Sequence, residues 1–474
     1  MLYFVNYVVG ILKKRYNLAT MDTLKKNDVV EITIDDLTVE GAGIGRYEGM
    51  AVFVPRALPG ETVSVKIIKL TKSYAVGRMM NLSRPSTERV TPFCPVFEQC
   101  GGCTLQHLSY DAQLAYKSRY VQQCFKRIGG IDIDAQSIEP CANTRDYRNK
   151  ASFPVAGQTG QAQAGFFAPR SHELVAADCP IQKPEINAVK KAVMRWANDN
   201  DIPPYSEQTG KGVLRHVVAR QSSGGGVMAG VVVRNKIDES PLIEEIKSIP
   251  NLKSIAVNTN RDKGNAILGR DTRVIYGDAY IAEEYSGLKF RAALQSFLQV
   301  NHAQSQKLYD IALEYANISK HDTVFDLFCG IGTISLLAAR LAKRVLGIEY
   351  EPSAVQNAEE NARLNSIENA QFLAGDAGEQ LKAAVNATGT PDIVIIDPPR
   401  KGCDVALLEG IAAASPKRIV YVSCNPATLA RDAALLKEQG YEVRQVSGVD
   451  MFPHTTHTEC CCLIERTSSV KKGV

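Results

Sequence analysis

The sequence predicts an α/β multidomain protein with an N-terminal OB-like β-barrel, a central α+β domain and a C-terminal Rossmann-like domain. Three observations carry that prediction. Residues 28–82 hold short apolar runs punctuated by glycines, residues 92–106 are rich in Cys and Gly, and from about residue 300 buried strands alternate with helices. A chain of 474 residues has material for roughly three domains. The pattern shifts place them at 24–83, 84–295 and 296–467, with a leader at 1–20 and a tail at 468–474.

Hydrophobic residues make up 45% of the chain and charged residues 22%, a globular balance that excludes disorder and collagen-like architecture. The net charge of +4 permits a nucleic-acid partner without demanding one. No apolar run reaches the length of a membrane span. The nearest, Met1–Leu12, is followed rather than preceded by Lys13, Lys14 and Arg15, so it reads as a leader ahead of a second start at Met21. Twelve cysteines without a secretory signal point to a reducing, cytoplasmic compartment, where clustered thiols serve as metal ligands or nucleophiles.

In the first domain the strands are Val29–Ile34, Ala51–Pro55, Thr62–Ile68 and Tyr74–Val76. From Glu61 to Thr91 the basic residues Lys66, Lys69, Lys72, Arg78, Arg84 and Arg89 outnumber Glu61 and Glu88, which suits a phosphate-tracking surface and equally a solvated basic face.

The second domain opens with Cys94, Cys100 and Cys103, and Cys179 follows much later. Four thiolates hold zinc or an iron–sulfur cubane; one close pair plus two isolated cysteines departs from the paired zinc ribbon and favours iron–sulfur. A helix is expected over Ser109–Ile128, and a hairpin over Val213–Val218 and Val227–Val233 about the turn Gly224-Gly-Gly226.

The third domain alternates strand and helix, so ligands belong at the C-terminal ends of its strands. The first strand ends in Asp326-Leu-Phe-Cys-Gly-Ile-Gly-Thr333, where Gly330 and Gly332 let backbone approach a ligand. Ser335 replaces the third glycine of a dinucleotide fingerprint, which counts against NAD. Glu349 ends the next strand, suited to a ribose diol, and Asp376 follows the third. Asp397-Pro-Pro-Arg400 ends the fourth and resembles the Asp-Pro-Pro motif of adenosylmethionine-dependent enzymes that methylate bases. The next strand delivers Cys424 to the same edge. Uracil C5 is too weak a nucleophile to take a methyl group unaided. A thiolate adding at C6 would activate it, and a base must then remove the C5 proton. Glu459, in Phe452-Pro-His-Thr-Thr-His-Thr-Glu459, is the candidate base, with His454 and His457 as rivals.

Together, Cys94-x5-Cys-Gly-Gly-Cys103-x2-Gln106-His107, Ser296-Phe-Leu-Gln-Val-Asn301, Asp326-Leu-Phe-Cys-Gly-Ile-Gly, Asp397-Pro-Pro-Arg-Lys-Gly, Tyr421-Val-Ser-Cys-Asn-Pro and the segment ending in Glu459 resemble the RNA uracil-5-methyltransferase family, over about residues 24–466. The resemblance implies a TRAM barrel, a central iron–sulfur domain and a methyltransferase domain. It implies Cys424 as nucleophile and Glu459 as base, with Gln299, Phe328, Gly330, Glu349, Asp397 and more weakly Asp376 at the S-adenosyl-L-methionine site. Cys94, Cys100, Cys103 and Cys179 would hold a [4Fe-4S] cluster, and Thr333 stands where some relatives carry Asn. The implied partner is structured RNA, gripped by the barrel and by Tyr147-Arg-Asn-Lys150, with the target base flipped out. Joint possession of the barrel and the four cysteines resembles the 23S ribosomal RNA enzymes, with the tRNA T-loop uridine as the alternative; no protein partner or membrane is implied. Cys124, Cys141, Cys329, Cys403 and Cys460-Cys-Cys462 are expected to be packing residues. An adenine-N6 methyltransferase would place an aromatic residue where Arg400 stands, and a non-catalytic RNA-binding module would have no use for Cys424.

Overall fold

The computed structural model describes residues 24–134 and 137–467, so the expected leader and tail lie outside the described residues. They form two compact units. One combines the chain up to Phe97 with Cys103–Tyr116 and His454–Thr456; the other holds Glu98–Gly102, Lys117–Pro453 and the chain from His457.

In the first unit, β1 (Val29–Leu37), β2 (Ala42–Tyr47), β3 (Met50–Pro55), β4 (Thr62–Leu70) and β5 (Tyr74–Arg84) close into a barrel in the order β1-β2-β3-β5-β4. Alternation along β4 turns Val63, Val65 and Ile67 into a core with Ile32, Ile34, Val52 and Val54. Strand β5 runs eight residues beyond Val76, where the expected strand stopped, because its polar stretch stays paired with β4 through bulges. Glu61 is fully buried, and Arg89 grips it through Nε to Oε1 at 2.6 Å and Nη2 to Oε2 at 2.9 Å. That clamp, with the Leu58 and Ser86 amides, holds the Glu61 carboxyl below its usual range against the opposing effect of burial. Arg89 is therefore engaged inside this unit rather than counted with the surface cations.

Helix α1 (Tyr110–Cys124) starts one residue after Ser109, whose hydroxyl accepts from the Ala112 amide, and then widens into a π-turn over Phe125–Gly129. In the second unit, β6 (Ile138–Glu139) precedes β7 (Lys150–Gln158) and β8 (Gln161–Ala164), and a small ribbon pairs β9 (Phe166–Phe167) with β10 (Leu174–Val175). Helix α2 (Pro184–Asp199) then leads to β11 (Leu214–Gln221) and β12 (Val227–Val233). The expected hairpin is present, with Val218 opposite Gly230. After α3 (Ser240–Ile246), β13 (Leu252–Thr259) and β14 (Asp271–Gly277) complete a six-stranded sheet ordered β14-β13-β12-β11-β7-β8. Trp196, Ile186 and Val193 of α2 pack into its core. A separate hairpin, β15 (Ile281–Tyr285) with β16 (Leu288–Ala292), follows.

From α4 (His302–Ala316) onward the chain winds an α/β sheet. Its successive elements are β17 (Thr323–Leu327), α5 (Thr333–Ala339), β18 (Arg344–Glu349), α6 (Pro352–Leu364), β19 (Ala370–Ala374), α7 (Ala377–Thr388), β20 (Ile393–Ile396), α8 (Val405–Ala414), β21 (Arg418–Ser423), α9 (Pro426–Glu438), β22 (Tyr441–Val449) and β23 (Glu459–Arg466). The order is β19-β18-β17-β20-β21-β23-β22-β6. Strands β17 to β21 are parallel and nearly all apolar, as a sheet covered on both faces requires, and β23 enters antiparallel to β21. The order reverses between β17 and β20, so the crevice of this sheet opens at the ends of those two strands. Among the described residues no helix is long and apolar enough to cross a membrane.

Candidate active site

Strand β17 ends one residue before Phe328, which leaves the sheet with φ +65°, a left-handed conformation that costs a bulky side chain energy and concentrates at functional sites. Gly330 follows at φ +56°, with nothing within 4 Å of where a Cβ would stand. The turn is fixed to β18: the Phe328 amide donates to the Ile348 carbonyl at 2.8 Å, and the Gly330 amide to Oε2 of Glu349 at 3.0 Å. The Glu351 amide donates to the other Glu349 oxygen at 3.0 Å. Beside Glu349, Tyr350 is 72% exposed. A half-exposed carboxylate, an open glycine turn and an uncovered aromatic face at one sheet edge suit a nucleoside bearing a ribose diol.

Gln299 is buried in the loop between β16 and α4. Three ties hold this loop. The Arg220 guanidinium donates to the Ser296 carbonyl, the Asn149 amide donates to the Val300 carbonyl at 2.8 Å, and the Asn301 side chain caps α4 while donating to the Met451 carbonyl at 3.3 Å. Asp376 follows β19 at the rim of the sheet, where its Oδ1 accepts from the Gly378 and Glu379 amides at 2.9 and 3.2 Å, as the N-cap of α7.

The decisive geometry lies between β21 and β23. Their register pairs Ser423 with Cys460, so the next step along the ladder brings together Cys424, just past the end of β21, and Glu459, the first residue of β23. Asp397 closes the group from the end of β20, its amide 3.4 Å from the Leu327 carbonyl. Glu459 is 3% exposed, and burial, then the neighbouring Asp397 charge, pushes its carboxyl up to about 8 although Arg400 opposes the shift. Burial pushes Asp397 up to about 7. It does the same to Asp326, despite the Ser335 hydroxyl donated at 2.5 Å. The Cys424 thiol is half-buried and pushed up to about 11, first by burial and then by Glu459, while the positive charge of Arg400 pulls it down. Two carboxyls with values near neutrality beside a thiol can exchange protons at physiological pH.

His457 is pushed down to about 4 by burial and by Arg400, Lys117 and Arg148, which leaves it uncharged. His454 falls in the other unit, where its amide donates to Oε1 of Gln113 at 2.9 Å and its ring packs edge-on against Phe93. Neither histidine shares the register that joins Cys424 to Glu459.

Accessibility divides the twelve cysteines along the lines the sequence suggested. Cys94, Cys100, Cys103, Cys179 and Cys424 are partly exposed, and the seven expected to be packing residues are buried. Even so, among the described residues no group of three or more His, Cys, Asp or Glu side chains is arranged to hold a metal ion, so the expected iron–sulfur domain is not seen as a formed site. At Cys100 the Gly102 amide points to Sγ at 3.4 Å, the polarity a thiolate ligand favours.

Three residues escaped the sequence reading. Arg400 entered it only as the absence of an aromatic residue. Asn425 accepts from the Ala427 amide at 3.1 Å and donates to the Arg400 carbonyl at 3.1 Å; Asn before Pro at a helix start was a legible cap signal. Tyr309 of α4 has its hydroxyl pushed well up by burial and by Tyr285, Asp397, Glu459 and Asp326, and no local pattern announces it.

A sequence profile described as tRNA (uracil-5-)-methyltransferase matches residues 109–467, and one for the TRAM domain matches residues 24–80. The chain belongs to the tRNA (uracil-5-)-methyltransferase family. It is 47% identical to an uncharacterized RNA methyltransferase of Halalkalibacterium halodurans, over 93% of this chain and 98% of that one. It is 43% identical to another from Clostridium acetobutylicum, over 94% and 98%. Among solved structures it is similar to the Pyrococcus abyssi tRNA (uracil-54, C5)-methyltransferase in complex with S-adenosyl-L-homocysteine, with a TM-score of 0.74 and 26% identity over 92% of this chain and all of that one. This member of the tRNA (uracil-5-)-methyltransferase family is thus an RNA methyltransferase of the uracil-5 class that uses S-adenosyl-L-methionine, and its RNA-binding TRAM domain is the closed five-stranded barrel.

Proposed function

We propose that this enzyme methylates C5 of a uridine in structured RNA through a covalent adduct on Cys424. The observation that supports this most is the register that sets Cys424 beside Glu459 at the mouth of the sheet. Gln299, Phe328, Gly330, Glu349 and Asp397, with Asp376 at the rim, would hold S-adenosyl-L-methionine, which supplies an electrophilic methyl group. The Cys424 sulfur adds to C6, and the electrons of the C5–C6 double bond move toward C5 and O4, making C5 a carbon nucleophile. Once C5 carries the methyl group, Glu459 removes the C5 proton. The double bond reforms and the bond from Cys424 to C6 breaks, returning the thiolate. Water excluded around Glu459 keeps its carboxyl basic enough for that transfer.

The same reading divides the chain into a TRAM barrel at 24–83, a central domain at 84–295 and a methyltransferase domain at 296–467, acting in the cytoplasm. Cys94, Cys100, Cys103 and Cys179 would hold a [4Fe-4S] cluster. The methylation is redox-neutral, so no step passes through it. Iron and acid-labile sulfide assays on anaerobically purified protein, with each cysteine changed to Ser, test that assignment.

The barrel together with the four cysteines favours 23S ribosomal RNA as substrate. The similarity to an enzyme described as acting on uracil-54 of tRNA supports the second reading. Incubating the anaerobically purified enzyme with labelled S-adenosyl-L-methionine and unmodified 23S ribosomal RNA or tRNA separates them. Labelled 5-methyluridine in one RNA, lost in Cys424→Ala, is the expected result; label on another base, or label that survives the substitution, would refute the thiolate mechanism.

A further inference from the structure

We infer that Asn361 is a positioning residue for the methylation: its buried side-chain amide fastens the glycine turn after β17 to the strand that leads into Gln299, and so sets two walls of the cofactor site against each other. This rests on the reading of Gly330, Glu349 and Gln299 as cofactor-binding residues. Strand β16 belongs to a two-stranded ribbon, so among the described residues one of its edges has no strand beside it. Successive residues of a strand turn their amide and carbonyl to opposite edges, and Lys289 and Arg291 therefore share one. Helix α6 lies along it. Oδ1 of Asn361 accepts the Arg291 amide at 2.8 Å; Asn365, four residues on, accepts the Lys289 amide at 2.9 Å and donates Nδ2 to the Lys289 carbonyl at 2.7 Å. The spacings match, since four helical residues rise about 6 Å and two strand residues about 6.8 Å. Two asparagine side chains thus stand in for a neighbouring strand.

Asn361 differs from Asn365 in what its other end holds. It is fully buried, and its Nδ2 donates to the Ile331 carbonyl at 3.1 Å, inside the turn from Phe328 to Gly332. Behind the same turn, a Cβ at Gly332 would lie 3.1 Å from the Cβ of Ala358, one helical turn before Asn361. The turn is therefore backed by α6, while Gly330, with nothing within 4 Å of a Cβ position, stays open on its other face. The Glu349 carboxylate depends on this turn, because it accepts the Gly330 amide at 3.0 Å. On the strand side, little slack separates Arg291 from Gln299. Strand β16 ends at Ala292; the Ala293 amide then donates to the Ser296 hydroxyl oxygen at 3.0 Å, and the Ser296 amide donates back to the Ala293 carbonyl at 3.3 Å. One side chain thus holds a carbonyl of the glycine turn and an amide of the strand that delivers Gln299. A buried carbonyl or amide that loses such a partner has no water to replace it, so without Asn361 both walls lose their common anchor.

The test is calorimetric binding of S-adenosyl-L-homocysteine to the full chain, for wild type, Asn361→Leu and Asn365→Ala, with a denaturant unfolding curve for each. Asn361→Leu keeps the volume and removes both bonds, so its dissociation constant should rise about tenfold. Asn365→Ala frees the same strand edge without touching the glycine turn, so it should lose stability yet bind as wild type does. A residue that merely packs would lower the stability of Asn361→Leu and leave its dissociation constant unchanged. That result, or equal weakening in the two variants, would overturn the proposal. If Asn361→Leu does not fold, Asn361→Ala, which suits a helix and makes no steric demand, decides by the same comparison. Glu349→Gln separates the proposal from the reading beneath it. That variant should itself bind about tenfold more weakly, and wild-type affinity there would refute the placement of the cofactor instead.

Discussion

The side-chain amide of Asn425 donates to the carbonyl oxygen of Arg400 at 3.1 Å, which ties the turn after β20 to the turn after β21. The same side chain accepts from the Ala427 amide and caps α9. Its two roles separate by substitution. Asn425→Ala loses both and should lower stability by about 1 kcal/mol. Asn425→Asp keeps the cap but cannot donate, so its unfolding midpoint should stay near wild type while its single-turnover methylation rate falls about tenfold.

Glu459 makes stability depend on pH in a direction unusual for a carboxylate. Its value in the folded chain, about 8, lies above its usual 4.5, so the folded state keeps a proton that the unfolded state releases. Its contribution is therefore most favourable below pH 4.5 and is lost as pH rises toward about 8. Glu459→Gln removes the proton linkage. Relative to wild type it should gain about 4 kcal/mol between pH 5 and pH 9 in urea unfolding curves.

Phe328 adopts φ +65° at the head of the turn that meets Glu349. Phe328→Gly should relieve about 1 kcal/mol of backbone strain, yet weaken S-adenosyl-L-methionine binding about tenfold by calorimetry, because the ring is lost from the site. Phe328→Ala keeps the strained backbone and should weaken binding without the gain in stability.

Lys117 and Asp450 form a fully buried ion pair, and Lys117 Nζ also donates to the Phe452 carbonyl at 3.1 Å, at the start of the segment leading to Glu459. Lys117→Met leaves Asp450 buried without its cation and should cost about 3–5 kcal/mol in denaturant unfolding. The double variant Lys117→Met with Asp450→Leu should recover most of that loss, since apolar packing replaces both charges.

Much of the site was legible because parallel strands place their C-terminal residues at one edge whatever the loops do. Glu349, Asp397 and Cys424 could be placed there from apolar runs alone. The partnership of Cys424 with Glu459 could not, because it depends on β23 inserting antiparallel between β21 and β22, and alternation does not encode strand order. Side-chain destinations were likewise hidden. Arg89 counted as a surface cation until Glu61 was found buried beneath it, and nothing in the local pattern announced that the Asp376 carboxylate caps α7. Both are short-range choices between solvent, ligand and backbone that residue type alone leaves open. The seven cysteines read as packing residues are buried, as small apolar side chains with a weak donor prefer to be.

The central claim, covalent attack by Cys424, is tested most directly with RNA in which fluorine replaces hydrogen at C5 of the target uridine. Glu459 can remove a proton but not fluorine, so elimination stops after methyl transfer. With S-adenosyl-L-methionine present, wild type should give a one-to-one protein–RNA adduct that survives denaturation and maps to the Cys424 peptide, and Cys424→Ala should give none. An adduct on another residue, or no adduct from a preparation that methylates ordinary RNA, would contradict the account.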